Sequence, residues 1–193
     1  VEGSAITFNS SANEPDPRNG SDFGFEWIVT NALGEIVAKG VNDRLTFEPD
    51  EDGVYLATLT VTDFVTNLVY TDTAYAFVSN AAPVLEGESG FGSFEGQPAV
   101  VGVRYSDAGR FDTHTAMINW GDGTIEAGTV TLAEGDITEN TASGVHFYAD
   151  DGEYVVTIKL IDDDGAETFS QPIAITIANT APSVTVSGPA TVE

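Results

Sequence analysis

The chain has 193 residues, and its 31 Asp and Glu against 6 Lys and Arg give a formal net charge of −25. A surface of that sign is repelled by phosphate backbones and anionic lipid, so nucleic-acid and membrane-surface binding are disfavoured. Cysteine is absent, which excludes disulfides, thiolate nucleophiles and zinc–thiolate sites, while a hydrophobic content of 41% argues against disorder.

In chain order, Val1-Glu2-Gly3 opens a pattern that returns as Phe94-Glu95-Gly96 and again as Val192-Glu193. Trp27 reads as a core tryptophan on a central strand. Glu51-Asp52-Gly53-Val54-Tyr55 reads as a turn feeding a strand, with Tyr55, Ala57, Leu59 and Val61 on one face and Leu56, Thr58, Thr60 and Thr62 on the other. Ala74, Ala76 and Val78 mark the next strand, and Asn80-Ala81-Ala82-Pro83 a linker. Pro83-Val84-Leu85 then opens a new strand. Trp120-Gly121-Asp122-Gly123-Thr124 is a second core tryptophan running into a glycine-rich tight turn, and His146-Phe147-Tyr148 sits in a strand pattern. Asp150-Asp151-Gly152-Glu153-Tyr154 repeats the turn-to-strand element, with Tyr154, Val156, Ile158 and Leu160 inward. Ile173, Ile175 and Ile177 give the following strand, and Asn179-Thr180-Ala181-Pro182 repeats the linker. No segment carries a capped helical stripe, and no apolar run approaches the roughly 20 residues of a membrane-spanning helix.

The two tryptophans lie 93 residues apart, and the two tyrosines and the two linkers 99 apart. Self-similarity at that spacing means tandem whole domains. The predicted fold is all-β: two immunoglobulin-like β-sandwiches in tandem, end to end. The expected boundaries are 1–81 for a sandwich without its own first strand, 82–180 for a complete one, and 181–193 for the first strand of a following repeat or a donated strand. In each Asp-Gly-x-Tyr element the ring is expected to bury while its hydroxyl returns to the backbone of the preceding loop. The pattern is cut at both ends, which reads as a piece of a longer array.

The order and spacing of Trp120-Gly121-Asp122-Gly123-Thr124, His146-Phe147-Tyr148 and Gly152-Glu153-Tyr154-Val155-Val156 closely resemble the PKD (polycystic kidney disease) repeat of bacterial surface proteins. The resemblance covers about residues 82–180. The first unit departs from it, with Trp27-Ile28-Val29-Thr30 in place of the Gly-Asp-Gly turn and Phe47 where His146 stands. The resemblance implies an extracellular, cell-surface β-sandwich used as a spacer or adhesion unit, without catalysis. It also implies calcium near domain ends, as in cadherin-like arrays.

The chain's own acids can be read three ways: a solvated surface for high salt, calcium ligands, or a face for a basic partner. Sandwich topology makes the second concrete. Glu2 from the A–B turn, Asp50 and Glu51 from the E–F turn and Asn80 from the linker are expected to meet Asp107 and Asp112 of the B–C loop at the junction of the units. Asp162, Asp163 and Asp164 of the F–G turn are expected at the same end. The predicted calcium ligands are Glu2, Glu51, Asn80, Asp107, Asp112 and Asp162, an all-oxygen set of the kind calcium requires. The opposing reading is that Asp-rich loops make good, hydrated turns.

Other chemistry finds little support. His114 and His146 show no zinc spacing; no nucleophile elbow is present; with so many acids, any carboxylate pair is uninformative. Lys159 alternates outward and Lys39 lies near a turn, which speaks against an internal isopeptide bond. Gly90-Phe91-Gly92 precedes no helix, so it is no phosphate cradle. The leading expectation is a calcium-stiffened stalk or head-to-tail filament. Its partners would be neighbouring repeats of the same protein, with strand donation from residues 181–193. The alternative is a carbohydrate- or protein-binding accessory module of a secreted hydrolase, for which Phe91, Phe94 and Phe111 are the candidate platform.

Overall fold

A computed structural model describes residues 1–12, 22–134 and 139–188. The described residues form strands and turns with no helix, in four sheets that make two sandwiches. Backbone proximity divides the chain into two compact units. The first comprises Val1–Pro83 with the loop segments Asp107–Thr113 and Asp162–Ala166, and the second takes the remainder.

In the first unit β1 (Ile6–Asn9) pairs with β4 (Arg44–Phe47) as a two-stranded sheet. The facing sheet has the order β3 (Ile36–Gly40), β2 (Phe23–Thr30), β5 (Gly53–Asp63), β6 (Val69–Val78), all antiparallel. Alternation sets which side chains meet. On β5 Tyr55 and Ala57 are buried, while Leu59 and Val61 on the same face are only half-covered. The core is Trp27, Val29, Leu45, Phe47, Tyr55, Ala57 and Val78. Phe8 stacks on Trp27 and Phe47 with ring centroids 6.0 and 6.1 Å apart. The Trp27 Nε1–H donates to the Asn42 carbonyl at 3.0 Å, so the indole fills the core and satisfies its polar atom.

The second unit is more fully built. One sheet runs β11 (Thr129–Thr131), β12 (Asn140–Phe147), β8 (Pro98–Ser106), β7 (Val84–Phe91). The other runs β10 (Ile125–Ala127), β9 (His114–Asn119), β13 (Gly152–Asp162), β14 (Glu167–Phe169), with β15 (Ile173–Ile177) also on β13. Val84 and Leu85 begin β7 and pair with Ser106 and Tyr105. Fifteen buried residues make this core against seven in the first, among the described residues. Val156, Ile158 and Leu160 are wholly covered, as period-two patterning between two full sheets requires. Both tyrosine hydroxyls return to their own loops, Tyr55 to the Glu51 carbonyl at 2.8 Å and Tyr154 to the Asp150 carbonyl at 3.1 Å.

Residues 181–188 take no regular structure and are exposed; the expected strand's remaining residues, 189–193, lie outside the described residues.

Candidate metal site

In the second unit the glycine turn is a structural device. Gly121 has φ of +81°, and a Cβ there would sit 2.5 Å from the Val155 carbonyl, so only glycine fits. Asp122 closes the turn: its Oδ1 accepts the Thr124 N–H at 2.9 Å and the Thr124 hydroxyl at 2.5 Å. Its Oδ2 lies 2.9 Å from His146 Nε2, and Glu126 Oε2 lies 3.1 Å from Nδ1. The imidazole stacks on Trp120 at 4.9 Å, and the Tyr148 hydroxyl donates to the Trp120 carbonyl at 2.7 Å. The two ring nitrogens point to opposite sides, each to its own carboxylate, which is a clamp on the turn.

Burial pushes the Asp122 carboxyl upward, but the hydrogen bonds from Thr124 and the contact with His146 overcome it and hold the group down at about 2. A carboxylate depressed in the folded state stabilises it above the unfolded value of about 4, and that contribution vanishes as pH falls through about 2. Asp122→Asn is therefore expected to cost about 2 kcal/mol near neutral pH and almost nothing at pH ~2. Urea unfolding at the two pH values reads the difference, and an equal cost at both would refute this account of the turn.

The acidic cluster belongs to the first compact unit. Glu2, Asp107 and Asp112 place carboxylate oxygens within 4.8 Å of one another, and Asp112, Asp163 and Asp164 form a second such group. Glu2 is 1% exposed. Its Oε1 accepts the Ala81 N–H at 2.8 Å, whereas Oε2 is buried without a hydrogen-bond partner. Asp112 Oδ2 and Asn80 Oδ1 are buried and unpartnered as well. The backbone supports the site: the Arg110 N–H donates to the Asp50 carbonyl at 2.9 Å, and the Phe111 N–H to Glu51 Oε1 at 3.1 Å.

The electrostatics are adverse. Burial first, and then the charges of Glu2, Asp107, Glu51 and Asp163, push the Asp112 carboxyl up to about 7. Burial likewise raises Glu2 against the pull of the Ala81 N–H, with Asp107, Asp52 and Asp164 adding to the rise. Glu51 is raised by burial, opposed by the Phe111 N–H, and raised further by Glu2 and Asp163.

Of the predicted ligands, the structure brings Glu2, Asp107 and Asp112 together. Glu51 lies within electrostatic reach of Glu2, outside both groups. Asn80 and Asp162 face each other: the Asn80 Nδ2 donates to Asp162 Oδ2 at 3.0 Å, while Asp162 Oδ1 takes the Ala166 N–H at 2.7 Å. With an N–H donor on each oxygen, Asp162 closes its turn. Its neighbours Asp163 and Asp164 supply the second group. Phe91, Phe94 and Phe111 are all more than half exposed.

The family profile of the PKD domain matches residues 80–177, which carry the glycine turn, the His146 clamp and the Tyr154 anchor. The chain belongs to the PKD domain family. PKD domains are non-catalytic modules, although one is carried by a peptidase. That one, the PKD domain of an M14-like peptidase from Thermoplasmatales archaeon SCGC AB-540-F20, is 22% identical, with a TM-score of 0.40. The match covers 52% of this chain and 99% of that one. The ICAM-5 D1–D4 ectodomain fragment is 16% identical with a TM-score of 0.43, over 97% of this chain and 53% of that one. Domains 4 and 5 of the S-layer protein SbsC are 18% identical with a TM-score of 0.29, over 91% and 80%. A search of curated proteins finds no match.

Proposed function

We propose that this PKD chain is a non-catalytic extracellular spacer or adhesion module whose acidic loops are held in place by calcium. The observation behind this reading is the Glu2 carboxylate, buried with one oxygen lacking any donor, beside Asp107 and Asp112. Three carboxylates gathered without a cation raise one another's proton affinity, and a divalent ion removes that cost. The donors are hard oxygens only, which suits calcium. Glu2, Asp107 and Asp112 would hold the ion, with Asp163 and Asp164 close by. Bound calcium supplies positive charge that ties segments 107–113 and 162–166 to the body of the first unit.

Differential scanning calorimetry with calcium and with a chelator tests this. At a hundred times its dissociation constant an ion adds about 2.7 kcal/mol, which raises the midpoint of a small domain by roughly 10 °C or more. Glu2→Gln is expected to remove most of that response. A midpoint indifferent to calcium would discard the reading.

A further inference from the structure

Outward positions on a sandwich meet solvent, where threonine or a charged residue serves a strand well. The first unit departs from that rule. On the outward side of its four-stranded sheet Val54 pairs with Phe77, and Leu56 with Tyr75. Cross-strand contact covers part of each ring, yet Phe77 is 80% exposed and Tyr75 63%. In the second unit, 99 residues on, the same two pairs are Glu153 with Thr176 and Val155 with Ala174. Ala174 and Thr176 are exposed too, with β7 in place on that sandwich. The outward side of this sheet is therefore open in both units, and only its chemistry differs. Both apolar pairs stand at the end of the sheet away from the Phe23–Asp63 pair, roughly 24 Å along β5.

The face is also unlike the rest of the chain in charge. Among the strand residues of this sheet, the outward charges are Glu26 on β2 and Lys39 on β3, the latter opposite Ile28. That is one acid and one base in a chain of 31 acids and 6 bases. Two copies approaching elsewhere repel each other. Here a second copy meets no net charge, and it brings a base for the acid and an acid for the base.

The area is sufficient. The strands β5, β6, β2 and β3 have 11, 10, 8 and 5 residues. At roughly 3.4 Å by 4.8 Å for each residue, two facing sheets cover about 1,100 Å², just past the ~1,000 Å² that a specific interface needs.

We propose that this face is covered by the same face of a second copy, the outward sheets of two first units packing on each other about a two-fold axis. Sheets packed face to face lie about 10 Å apart with their strands nearly aligned, which places Phe77 and Tyr75 of both copies in the layer between them. The same patch serves both partners, so the contact closes at two copies and does not propagate. It stands independently of the calcium reading.

Sedimentation velocity of the whole chain from micromolar to millimolar concentration tests the proposal, in salt high enough to screen the net charge. The weight-average mass is expected to rise to twice that of the monomer and to stop there. The double variant Y75T/F77T is expected to lose the dimer over the whole range and keep the parent's unfolding midpoint, since threonine already stands at the second unit's counterpart of Phe77. K39E leaves two acids on the face and is expected to shift association to higher concentration. Dilution of the parent is expected to move the NMR resonances of Leu56, Tyr75 and Phe77 and to leave those of Val155 and Ala174 in place. A parent chain that stays monomeric throughout overturns the proposal and leaves the face to a different partner. Mass that climbs past the dimer, or a dimer that Y75T/F77T leaves unchanged, overturns it as well by moving the contact to another surface.

Discussion

Trp120→Ala is expected to lower the unfolding midpoint of the second unit by about 15 °C or more. The indole is 1% exposed, at the centre of the larger core. Truncating a buried aromatic side chain to alanine costs about 3–5 kcal/mol, and each kcal/mol moves the midpoint of a domain this size by roughly 4–8 °C. The loss extends beyond the cavity. His146 stacks on the indole face, and His146 in turn holds Asp122 and Glu126, so the turn loses its clamp together with its anchor. Trp120→Phe is the informative partner. The Trp120 Nε1 is buried without a hydrogen-bond partner, so phenylalanine removes an unsatisfied donor and part of its volume penalty is offset. At Trp27 the indole N–H is bonded to the Asn42 carbonyl, and Trp27→Phe forfeits that bond without compensation. Calorimetry of the four variants is expected to show a wider gap between alanine and phenylalanine at 120 than at 27. A fall of only a few degrees for Trp120→Ala would mean that the indole is not the keystone of this core.

These cores were legible in the sequence because their signals are local. Alternation along residues 54–61 and 154–161 fixes which side chains face inward, and Asp-Gly-x-Tyr fixes a turn whose phenol returns to its own loop. The repeat also marked Pro83-Val84-Leu85 as the opening of a strand, and Val84 and Leu85 lie in β7. What escaped was set by partners distant in sequence. Nothing about Leu59 or Val61 alone says that they are only half-covered where their counterparts Ile158 and Leu160 are wholly buried. The acidic residues show the same limit. Asp162, Asp163 and Asp164 are equivalent as letters, yet the N–H groups of Ala166 and Asn80 engage Asp162 and leave the next two near Asp112. Glu2 was legible as a position in a turn, while its burial was not, because the neighbours that cover it lie far along the chain. His146 reads as a strand residue; its grip on the turn through Asp122 and Glu126 depends on carboxylates 24 and 20 positions away.

The second large effect concerns pH in the absence of metal. In a chelator the first unit is expected to be more stable at pH ~5 than at pH ~8, and calcium is expected to reverse that order. The Asp112 carboxyl, pushed up to about 7 by burial and by Glu2, Asp107, Glu51 and Asp163, is protonated in the folded chain at pH values where an unfolded Asp, near 3.9, has already ionised. Between those values the folded state binds more protons, so stability falls as pH rises, by up to about tenfold in the folding constant per pH unit for this one group. Glu2 and Glu51 are raised as well and act in the same direction. The depressed Asp122 titrates below about 4 and leaves this window untouched. Calcium competes with the proton for the same oxygens, so its stabilisation is expected to be small at pH ~5 and full at pH ~8. Asp112→Asn separates this group from every other titration in the chain: it is expected to flatten the metal-free profile and to abolish most of the calcium response together. Denaturant midpoints at four pH values, with calcium and with chelator, give the full grid. Metal-free stability that rises steadily from pH ~5 to pH ~8 in the parent chain, or an Asp112→Asn profile identical to it, would show that the carboxylates are not crowded as the structure has them.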